Sequence, residues 1–288
     1  MKLRFPSSRR AFVAFLAAIL VCTALVGAQE PTTIQTHTEA AAGGPDPAFV
    51  ARAGDIIVHA RKVIGNFFEQ TSNVVCTENV SQMMVAKNNK PVYREESVFE
   101  YQLQSSSRTG ALRLTETRDP VKTALRDPNR TLLITNGFAS LLVILDGNYE
   151  ASYVFEPISE DTVDGRTVLK VHFKPVAGAS SPAAVQLQGR NYPLQLKGDL
   201  WIDEESGAIV KLISSLDGSL EDLGLRELRS EIHYAIVQFH SPEEAYWMPA
   251  SAVIDLETPK QHWRNVHRFT GYRRFRATIQ VGMGEKQP

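Results

Sequence analysis

Residues 197–212 read KGDLWIDEESGAIVKL, two short apolar runs joined by a turn that carries acidic side chains. Leu200 and Ile202 alternate with Asp199, Trp201 and Asp203, as in a strand that buries one face. The segment EESG supplies turn residues. In the second run, Ile209, Lys211 and Ile213 share one face and Ala208, Val210 and Leu212 share the other. This pattern predicts a β-hairpin in an antiparallel sheet.

The acidic side chains of this hairpin are Asp199, Asp203, Glu204 and Glu205. In one interpretation they form a metal or acid–base cluster; in the other they lie in solvent at and beside the hairpin tip. A hard-cation loop needs several converging oxygens and an organising glycine, and no EF-hand pattern occurs here. We favour the hairpin tip and expect no metal site.

The same alternation recurs along much of the chain. The predicted apolar faces are Phe99, Tyr101 and Leu103; Leu112 and Leu114; Leu169, Val171 and Phe173; Ile232, Tyr234 and Ile236; and Phe275, Ala277, Ile279 and Val281. Asp164 and Gly165 separate two such segments, as in a two-residue hairpin turn. We count about nine to eleven strands, mostly joined by hairpins, which predicts an antiparallel sheet.

A long amphipathic helix is predicted to begin near Asp46, a good N-cap, with Pro47 at the first helical position. Its apolar residues at helical spacing are Phe49, Ile56, Ile57, Ala60, Val63, Ile64, Phe67 and Phe68. His59 falls on the polar side, and a short helix is expected over residues 138–145. The sequence thus predicts an α+β fold: a strongly curved antiparallel sheet, a half-open barrel, wrapped over the long helix and one or two short ones.

The N-terminus is typical of a secretory signal peptide. Lys2, Arg4, Arg9 and Arg10 precede an apolar run and small residues, so cleavage is expected after Ala28. The alternative, a membrane anchor, usually needs about 20 apolar residues. Residues 29–46 then predict a flexible linker, residues 47–282 a single domain and residues 283–288 a disordered tail.

The composition, 43% hydrophobic and 22% charged over 288 residues, is that of a globular protein. Removing the signal peptide takes four of the 31 basic residues and none of the 32 acidic ones, so the net charge falls to near −5. This balance argues against a nucleic-acid binder. Cys76 is then the only cysteine, so no internal disulfide is expected. We interpret it as a buried apolar residue rather than a nucleophile.

Three stretches together resemble a known superfamily. They are GDLWIDEESGAIVKL, a strand ending in YWMPASAVID, and RNVHRFTGYRRF near the C-terminus. They resemble the LolA/LolB-like outer-membrane lipoprotein-sorting carriers over residues 47–280, and more closely a group of uncharacterised secreted bacterial proteins of that fold. The resemblance implies a half-open barrel, closed by helices, that shelters acyl chains in the periplasm. The carriers' functional residues do not map onto this chain, which has additional sequence at residues 175–193.

Our functional hypothesis is an exported periplasmic carrier that binds a lipid or a lipoprotein acyl chain without a cofactor. The candidate apolar contacts are Phe99, Tyr101, Leu103, Leu169, Val171, Phe173, Leu200 and Ile202. The same side chains would serve equally as a filled core. The alternative is therefore a non-catalytic envelope interaction or sensor module, and an enzyme such as a hydrolase comes third. Glycine-elbow, phosphate-loop and zinc-site motifs do not occur, and His233, His240, His262 and His267 are spread over separate predicted strands and a turn.

The C-terminal segment interleaves arginine with aromatic residues. The candidates for contact with an anionic group or a protein partner are Arg268, Arg273 and Arg274. The alternative is that these arginines lie on a solvated strand face and form ion pairs with neighbouring acids. Alternation carried back from Phe275 places Arg273 on the apolar face unless Gly271 marks a β-bulge.

Overall fold

The computed structural model describes residues 46–70, 73–88, 90–106, 113–123, 137–187, 190–221, 224–240 and 243–274. The predicted signal peptide, the linker up to residue 45, the tail, Leu112 and the predicted face from Phe275 to Val281 lie outside these ranges. Within them, no helix combines the length and the hydropathy that crossing a membrane requires.

The long helix, α1, spans Pro47–Gln70 and begins as predicted. Asp46 Oδ1 accepts a hydrogen bond from the backbone N–H of Ala48 at 3.0 Å, which is the N-cap interaction. The buried face of α1 consists of Ala53, Ile56, Ile57, Ala60, Ile64, Phe67 and Phe68. His59 lies on the exposed side. The amphipathic pattern is therefore confirmed.

The described residues form twelve strands and two 3-10 helices. The strands are β1 (Val74–Val85), β2 (Pro91–Ser106), β3 (Arg113–Thr123), β4 (Tyr153–Val163), β5 (Arg166–Pro175), β6 (Ala184–Leu187), β7 (Arg190–Pro193), β8 (Leu196–Asp203), β9 (Ile209–Leu216), β10 (Glu227–His240), β11 (Glu243–Glu257) and β12 (His262–Arg274). The 3-10 helices are η1 (Ser140–Leu145) and η2 (Gly147–Ser152). They replace the predicted short α-helix.

Ten strands form one antiparallel sheet in the order β3-β2-β1-β12-β11-β10-β9-β8-β5-β4, and β6 pairs with β7. Most neighbours in the sheet are also neighbours in sequence, as the hairpin pattern predicts. The exceptions are β1 beside β12 and β5 beside β8. Over the residues that the structure describes, the sheet is curved and not closed into a barrel, with β3 and β4 at the two ends of the strand order. The fold is α+β, as predicted.

The structure confirms the predicted turn at Asp164 and Gly165, and it decides between the two alternatives left open at Gly271. Asp164 and Gly165 both have positive φ, 50° and 76°, which suits the two-residue turn between β4 and β5. Gly271 has φ 66°, and the β1–β12 register slips between Val75 and Thr77, opposite Thr270 and Arg273. Gly271 therefore marks a bulge, which turns Arg273 outward rather than onto the apolar face.

The strict alternation predicted for the β8–β9 hairpin is wrong on its second strand. Trp201 pairs with Lys211 but Ile202 pairs with Ile209, so Val210 is an extra, bulged residue. Ile209 and Leu212 consequently both face the core, at 1% and 0% exposure. Ile209 does not share a face with Lys211 and Ile213.

One acid of the hairpin tip is buried rather than solvated. Asp203 is 2% exposed, and its Oδ1 accepts hydrogen bonds from the backbone N–H and the hydroxyl of Ser206 at 2.8 and 2.6 Å. Arg166 donates to Oδ2 at 3.4 Å. Asp203 thus stabilises the turn, and the described residues contain no group of three or more His, Cys, Asp or Glu placed to hold a metal ion.

The β10–β11 hairpin extends beyond the strands beside it. Among the described residues, β9 pairs with β10 only over residues 229–233, and β12 pairs with β11 only from Ser251 onward. We call the remaining part, residues 234–240 and 243–249, the β10–β11 arm. The predicted buried face of Ile232, Tyr234 and Ile236 is wrong at Ile236, which lies on this arm and is 44% exposed.

Candidate functional site

The eight predicted ligand contacts lie on the inner face of β2, β5 and β8. Each is at most 7% exposed. All except Phe99 belong to one core cluster that includes the buried face of α1 and residues 142–145 of η1. In this structure these side chains are packed against the helices rather than open to solvent.

The inner surface opens instead at a partly enclosed pocket between α1 and the β10–β11 arm. The pocket has a volume of about 210 Å³. Its lining includes Val63, Ile64 and Phe67 of α1 and Ala245, Tyr246 and Trp247 of the arm. Ile209 also lines it and pairs with Ile202, so the pocket adjoins one of the eight predicted contacts. The lining is mostly apolar and carries no charged side chain, and Asn66 contributes its side-chain amide.

Aromatic contacts hold the arm against α1. The ring centroids of Phe67 and Tyr246 lie 6.4 Å apart, and those of Phe239 and Tyr246 lie 6.0 Å apart, both in edge-to-face arrangements. Such pairs add about 0.5–1.5 kcal/mol to the burial of their surfaces. The arm is therefore packed on the helix, and a pocket remains beside the packed rings.

Of the three predicted arginines, Arg274 lies beside this pocket. Its guanidinium lies 4.8 Å from the ring centroid of Tyr246 and donates to Glu244 at 2.6 Å. Arg273 points away, is exposed and donates to Glu100 at 2.5 Å. Arg268 is exposed on β12, opposite Asn79 and Ser251. The structure does not gather the three into one anion-binding cluster.

A buried charged cluster lies on the inner face, where the sequence pattern did not predict one. Glu78 on β1 accepts hydrogen bonds from Arg118 Nε on β3 at 2.7 Å and pairs with His267 Nδ1 on β12 at 2.8 Å. All three side chains are at most 5% exposed. The Arg118 guanidinium also lies over the rings of Tyr101 and Phe138, at 4.7 and 5.2 Å.

Glu116 connects this cluster to the segment that leads into η1. Its carboxylate lies 3.8 Å from Arg118 and accepts from the backbone N–H groups of Gly137, Phe138, Ala139 and Ser140 at 2.8 to 3.3 Å. One carboxylate thus satisfies four donors of this turn, which would otherwise be buried without partners. The sequence contained one indication of this burial. Glu116 and Arg118 stand at alternate positions after Leu112 and Leu114, so they fall on the same predicted strand face.

The cluster holds Glu78 in its ionised form. Burial raises the pKa of the Glu78 carboxyl, but Arg118 and the hydrogen bond and charge of His267 outweigh burial, so the pKa lies below its ordinary value of 4.5. Opposite charges and hydrogen bonds to the charged form act in this direction. The cluster joins β1, β3 and β12 through one carboxylate.

The remaining nucleophile and histidine candidates do not converge. Cys76 is fully buried, and burial raises the pKa of its thiol to about 12, so it is protonated at neutral pH. His233 pairs with Glu231 at 3.1 Å and His262 with Asp255 at 3.0 Å, each on its own strands. His267 lies in the buried cluster, whereas His240 is exposed at the end of β10.

No protein-family model matches the chain, and no curated protein sequence matches it. Solved structures similar to the chain include a DUF1329 family protein from Desulfovibrio piger ATCC 29098, 12% identical over 83% of this chain and 95% of that one, with a TM-score of 0.35. A putative outer membrane lipoprotein-sorting protein domain from Vibrio parahaemolyticus is 13% identical over 80% and 93%, with a TM-score of 0.34.

A LolA superfamily protein from Nitrosomonas europaea is 13% identical over 78% of this chain and 94% of that one, also with a TM-score of 0.34. The similar structures thus include a member of the superfamily that the sequence resembles. At these TM-scores the likeness is loose, and the fold described above rests on the chain's own strand order.

Proposed function

We propose that the protein is an exported, periplasmic binding protein that shelters an apolar chain, such as a lipid or lipoprotein acyl group, and that the chain enters at the pocket between α1 and the β10–β11 arm. The observation that carries the proposal is that the apolar core reaches solvent there. Ile64, Phe67 and Ile209 line the pocket and also belong to the main core cluster. An acyl chain inserted at this point would therefore contact the existing apolar core.

The size of the pocket limits what it holds in this conformation. Ligand pockets for small molecules usually measure about 300–1,000 Å³, whereas this one measures about 210 Å³. The end of an acyl chain fits, and each buried methylene contributes about 0.8 kcal/mol. A longer segment requires α1 or the arm to move, and it would then contact predicted residues such as Leu200 and Ile202.

The second candidate is the interaction module, and the packing of the core favours it. The eight predicted contacts are buried against the helices. A protein that keeps this core closed would use its exposed side chains instead, including Arg268 and Arg273 on β12. The two candidates differ in whether an acyl chain binds.

The test uses the full chain, purified from a bacterial periplasm, with palmitate as the probe in native mass spectrometry. We expect a one-to-one adduct that Ala245→Trp weakens at least about tenfold, because the indole occupies space for two or more methylenes. Ala245 is exposed at the pocket, so the substitution leaves the core intact.

The matched control is Ala235→Trp on the neighbouring strand, where the residue is also exposed but does not line the pocket. This variant should bind palmitate like the unmodified chain. An unmodified chain that takes up no palmitate, or equal binding by both variants, would overturn the proposed function and favour the interaction module.

A further inference from the structure

A basic side chain of β5 lies against the wall of the pocket, although the lining itself is uncharged. The guanidinium of Arg166 lies 5.3 Å from the ring centroid of Trp247, which lines the pocket. Arg166 also lies 3.4 Å from Asp203, whose backbone N–H donates to the carbonyl oxygen of Ala208 at 2.9 Å. Ala208 is another lining residue. Arg166 is therefore connected to the pocket through two residues of its wall.

A second basic side chain, Lys62, lies on the α1 side of the pocket and is exposed. Residues three and four apart share a helix face, so Lys62 stands between His59 and Asn66. Asn66 lines the pocket. The His59 ring lies so close to Gly207, beside the lining residue Ala208, that a Cβ at this glycine would be 3.0 Å from it. Lys62 thus emerges between two residues at the edge of the pocket.

The acids of the adjoining β8–β9 turn only partly balance these two cations. Asp203 is buried and accepts two hydrogen bonds from Ser206. Glu204 lies 3.9 Å from Arg52, which leaves Glu205 as the exposed acid of the turn.

Arg166 keeps donors for a further acceptor. A guanidinium carries five N–H donors, and the contact of Arg166 with Asp203 is long, at 3.4 Å. The Arg166 side chain is 39% exposed. On the other side of the pocket, by contrast, Arg274 lies over Tyr246 but is paired with Glu244 at 2.6 Å. An anion is therefore favoured at the end of the pocket where Arg166 and Lys62 lie.

We propose that the ligand of this pocket is an amphiphile with an anionic head group, a carboxylate or a phosphate, which Arg166 and Lys62 bind while the acyl chain occupies the apolar lining. Guanidinium groups bind both kinds of anion through paired N–H donors, and an ammonium group adds a point charge. This inference rests on the proposed function, because it names the ligand class for the same pocket. A neutral lipid with the same chain would be held by its chain alone.

The experiment titrates the full chain, purified from a bacterial periplasm, with two matched pairs of lipids in a calorimeter. Lauroyl lysophosphatidate is compared with monolauroylglycerol, and laurate with lauramide, so that each pair differs only in the charge of its head group. We expect the anionic member to bind about tenfold more tightly. The difference should shrink as the salt concentration rises, because salt screens exposed charges. The pair with the larger difference identifies the head group as phosphate or carboxylate.

The variants test the two basic residues. Arg166→Gln and Lys62→Gln should each reduce the preference for the anionic lipid about threefold, as expected for the loss of one exposed charge pair. The matched control is Arg229→Gln on β10. The Arg229 side chain is also 39% exposed and lies 3.3 Å from Glu231, but it does not line the pocket. This variant should keep the full preference.

The outcomes separate this inference from the proposed function. Equal binding of charged and neutral lipids by the unmodified chain would overturn the inference and leave the acyl-chain site standing. An unchanged preference in either variant would also overturn it; if Arg166→Gln does not fold, the exposed helical variant Lys62→Gln decides. Absence of binding by all of these lipids would overturn both proposals.

Discussion

At the residue scale, the largest departure from the sequence analysis is the placement of charged side chains. Glu116 and Arg118 stand at the alternate positions of β3 that face inward. Charged residues are buried, however, only when they are paired. Their partners, Glu78 and His267, come from strands far away in sequence, so local pattern gives no sign of the pairing. Apolar residues such as Leu103 and Leu169 need no specific partner, and their burial was predicted correctly.

Glu78 provides the test of this cluster. Glu78→Gln should lower the free energy of unfolding at pH 7 by about 3–5 kcal/mol, because the buried Arg118 and His267 then lose the carboxylate that lies 2.7 and 2.8 Å from them. The folded pKa of Glu78 lies below the ordinary 4.5. Its contribution to stability is therefore complete above pH 4.5 and is lost as the pH falls through the folded pKa. The measurement is urea denaturation between pH 7 and pH 3.

The variant should show a smaller loss of stability than the unmodified chain below pH 4.5. The control is Glu96→Gln, whose carboxylate forms an exposed ion pair with Arg94 at 2.7 Å. Exposed pairs contribute about 0–1 kcal/mol, so this variant should keep its stability. An unchanged unfolding curve for Glu78→Gln would show that the cluster does not stabilise the fold.

At the element scale, the β8–β9 hairpin shows which features pattern captures and which it does not. Alternation located the strands and the turn, and it placed Leu200 and Ile202 inside. It missed the bulge at Val210, because one extra residue leaves no mark in composition while it reverses the faces that follow. It also missed the need for Gly198, which depends on how closely the two strands approach.

Gly198→Ala should destabilise this hairpin. A Cβ at this position would lie 1.9 Å from the carbonyl oxygen of Ile213, so the β9 backbone has to shift. Overpacking of this kind costs roughly 1–3 kcal/mol. Thermal and urea unfolding would measure the loss. Gly65→Ala is the control, because a Cβ in the middle of α1 meets nothing within 4 Å.

The helical control should be stabilised by up to about 1 kcal/mol, since alanine favours the helix over glycine. The two glycine variants are therefore expected to change stability in opposite directions. Equal stability of Gly198→Ala and the unmodified chain would mean that β8 and β9 separate easily at this point.

At the scale of the whole molecule, the strand order joins β1 to β12 and leaves the β10–β11 arm outside the ten-stranded ladder. Neither arrangement follows from local alternation, because pairing between the two ends of the chain and overhang of one hairpin depend on all the strand lengths together. The arm decides where the core reaches solvent. The sequence predicted apolar side chains that face inward, but the location of the pocket required the structure.

Arg274 ties this arm to β12, so it should control access to the pocket. Its guanidinium pairs with Glu244 and lies over Phe239 and Tyr246 of the arm, at 5.2 and 4.8 Å. Arg274→Gln removes the charge and the cation–π contacts. We expect faster hydrogen exchange of the arm amides, measured by mass spectrometry, and faster uptake of palmitate, measured by stopped-flow fluorescence.

Arg273→Gln is the matched control, because its partner Glu100 lies on β2; it should change neither rate. An arm that exchanges faster in Arg274→Gln while palmitate uptake keeps its rate would show that the acyl chain does not enter beside the arm.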